Sequence, residues 1–151
     1  MELLHDLNLG IIKAVNNATV AGYFSPGKAK EENRDALAAV VDGMSYGGFS
    51  VSIRGKHLAN YSGSFVGSDF EREVQLMPHI LRTLRITKIK DFSERLINVW
   101  VELGYLSKLL FLKSWSNSED YFRHLQASCA ALENAVRVYD PNLLRSSSKW
   151  H

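Results

Sequence analysis

The chain has 151 residues, a length typical of one globular domain that buries a core without covalent cross-links. Its apolar fraction of 46% and charged fraction of 23% are ordinary values for such a domain. The net charge of +2 is far from the basic excess of a dedicated nucleic-acid-binding protein, although the C-terminal half is the more basic one.

The cysteine content and the first residues of the sequence bear on the cellular compartment of the protein. The single cysteine, Cys129, excludes an internal disulfide. Glu2 and Asp6 stand where a secretory signal would be basic. We therefore predict a cytoplasmic protein that does not associate with membranes. It is expected to form one domain over residues 1–142, followed by a polar tail over residues 143–151.

Two helices are predicted in the first 44 residues. Residues 2–21 place their apolar side chains on one helical face. Ser25 and Pro26 then form a favoured pair of N-cap and first helical residue for a second helix that runs to Met44. Glycines at 43, 47 and 48 end it.

The apolar period changes from helical to alternating after the second helix. Phe49, Val51 and Ile53 alternate with polar residues, which is typical of a half-buried strand. Gly55 and Lys56 fit a two-residue type II′ turn, after which residues 57–61 can return as a second strand. The sequence therefore predicts a β-hairpin at this point.

A third helix is predicted to begin at Ser68, which forms a capping box with Glu71. Pro78 interrupts this helix, so we expect either a kink or two short helices. The β-branched side chains of residues 85–89 favour an extended conformation.

The segment from Asp91 to Trp115 is predicted to be a central helix around which the rest of the chain packs. Asp91 is expected as its N-cap, paired with Glu94. The helix is amphipathic as far as Glu102, but from Tyr105 onward it is apolar on nearly every side. A helix of this kind is expected to be buried on every side by other parts of a protein. Either the chain itself or a partner must supply that cover.

The last helix is predicted to start near Ser118, with Ser116 and Glu119 as a capping box. Its apolar stripe is expected to comprise Phe122, Leu125, Cys129, Leu132 and Val136. The predicted fold class is α+β: mainly α, with about five helices around the central helix and one β-hairpin inserted after the second helix.

No arrangement of residues predicts a cofactor, a metal site or an enzyme. The histidines lack the spacing of metal ligands, and residues 62–67 match neither a nucleophile elbow nor a phosphate-binding loop. Glu102 is the most interesting candidate for acid–base chemistry because it ends the polar stripe beside apolar residues, where a carboxyl pKa can rise. The other eligible residues are His57, Glu73, His79 and Asp120.

The surplus of apolar and aromatic side chains favours an interaction protein. We predict a small non-enzymatic protein-binding domain, of adaptor or inhibitor type, that forms homo-oligomers. Its predicted protein-binding residues are Tyr105, Leu109, Leu112, Trp115 and Trp150. The alternative is nucleic-acid binding through a basic run comprising Arg82, Arg85, Lys88 and Lys90.

Overall fold

The computed structural model describes residues 7–24, 27–44, 67–112 and 114–143. In the first of these ranges, α1 is a continuous helical segment that consists of the π-helical turn Leu7–Ile12, the α-helix Lys13–Thr19 and the π-helical turn Val20–Phe24. The remaining helices are α2 (Lys28–Asp42), α3 (Gly67–Thr87), α4 (Glu94–Leu110) and α5 (Ser118–Tyr139).

The predicted α+β class is wrong. The described part of the chain is all-helical and contains no strand. The residues predicted to form the hairpin, 49–53 and 57–61, lie outside the described ranges. The extended conformation predicted for residues 85–89 is replaced by helix as far as Thr87, and the N–H groups of Lys88 and Ile89 both donate to the Leu84 carbonyl. Burial of Leu84 and Ile89 in the core outweighs the weak preference of β-branched residues for strands.

Helix α4 lies between α3 and α5, so these three helices form one layer. Helix α1 packs on this layer against α3 and α4, and α2 packs against α3 and α1. The connection from α3 to α4 is a short turn whose Ile89 and Phe92 side chains are buried. The outer side of the layer is left with shallow grooves on either side of α4.

Trp100 ties α4 to α1. Its side chain is fully buried, and its Nε1 donates a 3.0 Å hydrogen bond to Thr19 Oγ1. The Thr19 hydroxyl donates in turn to the Val15 carbonyl at 2.8 Å. The indole therefore fills the core without leaving its N–H unpaired, as a buried tryptophan requires.

The N-caps of α2, α3, α4 and α5 differ from the predicted ones. Helix α2 begins at Lys28 with Gly27 as its N-cap, and not with Ser25 as N-cap and Pro26 as its first residue. Helix α3 begins at Gly67, so Ser68 lies inside it and is not its N-cap.

Ser93, and not Asp91, caps α4, since its side chain accepts from the Leu96 N–H. Asn117, and not Ser116, caps α5 by accepting from the N–H groups of Glu119 and Asp120. A cap must lie within reach of the second or third helical N–H, and tertiary packing sets where that helix begins.

Pro78 lies inside α3, which runs through it as one helix, so the predicted alternative of two short helices is excluded. Because proline has no N–H, the Val74 carbonyl cannot receive its usual helical donor from residue 78. That carbonyl faces Gly104 of α4, where a β-carbon would come within 2.9 Å of the oxygen. The close approach of α3 and α4 therefore depends on a glycine.

None of the described helices has the length and apolar character that crossing a membrane would require.

Candidate functional site

A groove of about 540 Å³ lies between α3 and α4 on the outer side of the layer. Val74 and Pro78 of α3 and Val101 and Gly104 of α4 form its apolar part, and Tyr105 stands beside them with 47% of its surface exposed. We call this feature the α3–α4 groove. Its volume falls in the range of ordinary ligand and peptide sites.

The rim of the α3–α4 groove is polar and carries positive charge. Arg82 and Lys108 are exposed, and neither forms an ion pair with a residue in the described ranges. Gln75 and His79 complete the rim. The described lining residues include no carboxylate, so the local potential is positive.

A second apolar surface lies where α4 ends and α5 begins. The Trp115 and Tyr121 ring centroids are 5.6 Å apart, and those of Tyr121 and Phe122 are 5.9 Å apart. Leu112 is exposed next to this segment of the chain. We call Leu112, Trp115, Tyr121 and Phe122 the aromatic surface.

Hydrogen bonds fix the aromatic surface in place. Trp115 Nε1 donates to Asp120 Oδ2 at 3.2 Å, and the Tyr121 hydroxyl donates to the Leu109 carbonyl at 3.0 Å. The Trp115 ring also contacts the His124 ring, with centroids 5.3 Å apart. Because these contacts already hold the Trp115 and Tyr121 side chains, the two lose little conformational freedom when a partner binds, which favours a role in recognition.

The structure describes four of the five predicted protein-binding residues, of which three are exposed and one is buried. Tyr105, Leu112 and Trp115 are exposed, by 47%, 41% and 38% of their surface. Leu109 is only 3% exposed, so it belongs to the core and is not available to a partner. Trp150 lies outside the described residues.

Sequence reasoning missed Phe122 as a surface residue. It was predicted to belong to the buried stripe of α5, yet it is 59% exposed, whereas Leu132 and Val136 of the same stripe are buried. Phe122 lies in the first turns of α5, close to where α4 ends. Helical periodicity gives the direction of a side chain but not what lies opposite it.

Glu102 is half-buried in a groove of about 420 Å³ and mixed polarity between α4 and α5. Arg95, Asn98 and Asn134 share this groove with it. The described lining residues provide neither a nucleophile nor a histidine that could work with the carboxylate. The groove therefore lacks the paired groups that acid–base catalysis uses.

The other acid–base candidates are scattered. Glu73 is fully buried in α3, whereas His79 is exposed on the groove rim. On the surface of α5, the Asp120 Oδ1 atom lies 3.6 Å from a guanidinium nitrogen of Arg123 and 3.6 Å from Nδ1 of His124. His57 lies outside the described residues. Across the described ranges, no three His, Cys, Asp or Glu side chains are grouped as metal ligands would be.

The basic run is partly neutralised. An Arg85 guanidinium nitrogen lies 2.6 Å from a Glu94 carboxylate oxygen, and Lys88 Nζ lies 3.9 Å from Glu32. Arg82 and Lys90 are exposed and form no ion pair with a described residue. Arg82 also belongs to the groove rim. Nucleic-acid binding through this run stays a prediction.

Comparisons with protein-family models, with curated proteins and with solved structures found no match for this chain.

Proposed function

We propose that this chain is a small non-enzymatic protein-binding domain, of adaptor or inhibitor type, that self-associates through its aromatic surface. The observation that carries the proposal is the pair of exposed aromatic side chains Trp115 and Phe122, whose rings both lie against the Tyr121 ring. Leu112 is also exposed, three residues before Trp115 in the chain. Single exposed apolar residues are common, but adjoining aromatic ones are typical of interaction surfaces. Tryptophan and tyrosine are also enriched among the residues that dominate binding energy.

The aromatic surface suits a contact between two copies of the chain. An isologous contact needs a patch that is complementary to itself. The four side chains of the aromatic surface carry no charge, and the Asp120 and Arg123 side chains beside them carry opposite charges. Trp115 and Tyr121 are held by hydrogen bonds within the chain, so their outer faces are presented in a fixed arrangement.

Light scattering on a Trp115→Ser, Phe122→Ser double variant tests this proposal. The unchanged chain is expected to show a molar mass that rises with concentration, and the double variant is expected to stay monomeric. Ile86→Ser is the matched control, because Ile86 is 78% exposed but lies on α3 away from the aromatic surface. Self-association that is equal in the double variant and in the control would contradict the proposal.

A further inference from the structure

The α3–α4 groove combines an apolar centre with positive charge on its rim. Pro78, Val101 and Gly104 offer no hydrogen-bonding side chain, so they favour an apolar occupant. Arg82 and Lys108 are cationic, exposed and without an ion pair in the described ranges. An occupant that matches both features is apolar on one face and acidic beside it.

The two cations lie towards opposite ends of the groove. Gly104 lies against Val74, and Glu94 pairs with Arg85, so α3 and α4 run antiparallel. Arg82 follows Val74 on α3, and Lys108 follows Gly104 on α4, so they extend in opposite directions from the central contact. At 1.5 Å per residue, their backbone positions are separated by about 18 Å along the helix axes. A helix in the groove would place acids about three turns apart opposite them.

The undescribed segments that follow α2 and α5 do not match the groove in charge. Residues 45–66 and 144–151 contain no aspartate or glutamate. Their charged side chains are all cationic: Arg54, Lys56, Arg145 and Lys149. These segments would meet like charges at the groove rim, so electrostatics argues against them as its occupant.

Helix α2 of a second copy, which carries more acidic side chains than any other described helix, is also a poor match. The exposed acids of α2 are Glu31, Glu32, Asp35 and Asp42. However, Leu37 and Val41 of the same helix are buried in its own core. A second copy therefore offers acids on α2 without an apolar stripe beside them.

We infer that the α3–α4 groove binds an amphipathic helix of another protein, one that carries acidic side chains at both ends of its apolar stripe. The apolar stripe lies over Pro78 and Val101 and packs against Tyr105. The flanking acids pair with Arg82 and Lys108, which fixes the register of the helix. This is the helix-in-groove mode of recognition with charged ends. The inference rests on the proposed protein-binding function, but it uses a different surface from self-association.

Calorimetric titration of the full chain with three synthetic peptides tests the inference. The first peptide has leucines at helical spacing and two glutamates about three turns apart. The second has glutamine in place of both glutamates, and the third is a scrambled form of the first. We expect the first peptide to bind about tenfold more tightly than the second, and its advantage to fall as salt is added. The scrambled peptide is expected not to bind.

Variants of the chain locate the site. An Arg82→Glu, Lys108→Glu double variant is expected to lose the advantage of the glutamate peptide, because both cations are exposed and their replacement leaves the core intact. The matched control combines Lys90→Glu with Lys13→Glu, two exposed cations outside the groove that form no ion pair with a described residue. Tyr105→Ala is expected to weaken the binding of the glutamate peptide and of the glutamine peptide, because both place leucines against Tyr105.

Three results would overturn the inference: no binding of the glutamate peptide, equal binding of all three peptides, or equal losses in the groove variant and its control. Light scattering on the same samples keeps the two proposals separate. A chain that self-associates but ignores the glutamate peptide contradicts only the groove inference. A monomeric chain that binds this peptide contradicts only the role of the aromatic surface.

Discussion

Gly104 of α4 lies against the backbone carbonyl of Val74 in α3, so closely that a β-carbon on residue 104 would approach the carbonyl oxygen to 2.9 Å. This is the carbonyl that loses its helical donor because residue 78 is proline. Pro78 thus removes the helical donor of the Val74 carbonyl oxygen, and Gly104 allows α4 to approach that same oxygen closely. Together they set the distance between α3 and α4, and with it the floor of the groove.

Replacement of Gly104 by alanine is expected to destabilise the chain by about 1–3 kcal/mol, because backbone atoms must move to admit the methyl group. Gly22→Ala is the control. Gly22 also lies in a helical segment, but nothing lies within 4 Å of the position that a β-carbon would occupy there, so alanine is expected to be neutral or stabilising. Urea unfolding measures both changes. Equal stability of the two variants would show that the helices are not in close contact at Gly104.

The hydrogen bond between Trp100 and Thr19 can be tested with a nearly isosteric change. Thr19→Val removes the acceptor of the buried indole N–H and is expected to cost about 1–3 kcal/mol. Thr83 is a matched control, since its hydroxyl makes the same bond to the carbonyl four residues earlier but is exposed. Thr83→Val is expected to change the free energy of unfolding by less than about 0.5 kcal/mol. If Thr19→Val is as mild as the control, the indole N–H has another partner.

The cap of α5 provides a third test. Asn117→Ala is expected to cost about 1 kcal/mol, because the N–H groups of Glu119 and Asp120 lose their acceptor. Ser116→Ala, one residue earlier and also exposed, is expected to have little effect on the free energy of unfolding. Thermal unfolding distinguishes the two variants. A larger loss at Ser116 would restore the capping box predicted from the sequence.

The ionisation of Cys129 and Tyr139 makes stability depend on pH at the alkaline end. Burial, and next the Glu133 carboxylate, raises the pKa of the Cys129 thiol above its usual range. Burial, and next Tyr23 and Asp140, raises the pKa of Tyr139.

Both groups are neutral when protonated, so a raised folded-state pKa means that folding favours the protonated form. Their contribution to stability is therefore complete below the unfolded-state pKa values, and it is lost as pH rises through the folded-state values. We expect the urea midpoint to fall above about pH 8.5. This fall should be smaller in Cys129→Ala. An identical pH profile in that variant would contradict the role of the thiol.

Helical periodicity in the sequence located α2, α5 and the start of α4 to within a few residues, because each helix buries a regular apolar stripe. The predicted end of α4 at Trp115 is wrong, since the helix ends at Leu110. The caps were misplaced because several capping residues stand side by side before each helix. Ser93 follows Asp91 closely, and Asn117 follows Ser116 directly. Phe92, which lies between Asp91 and Ser93, is buried in the core, and α4 starts after it with Ser93 as its N-cap.

The candidate sites depended on information that local sequence does not contain. The groove forms because Val74 and Gly104, which are distant in the chain, meet across two helices. Phe122 belongs to the predicted apolar stripe of α5 but is exposed, which the periodicity of that helix alone does not indicate. Tyr105 and Trp115 are predicted as binding residues because the segment between them is apolar on nearly every side of the predicted helix. Their binding role stays a prediction.

Self-association through the aromatic surface is best tested by sedimentation equilibrium of the full chain over a wide concentration range. We expect a reversible increase in mass with concentration for the unchanged chain and for Ile86→Ser, and a constant monomer mass for the Trp115→Ser, Phe122→Ser variant. A constant monomer mass for all three proteins would contradict the proposed role of this surface.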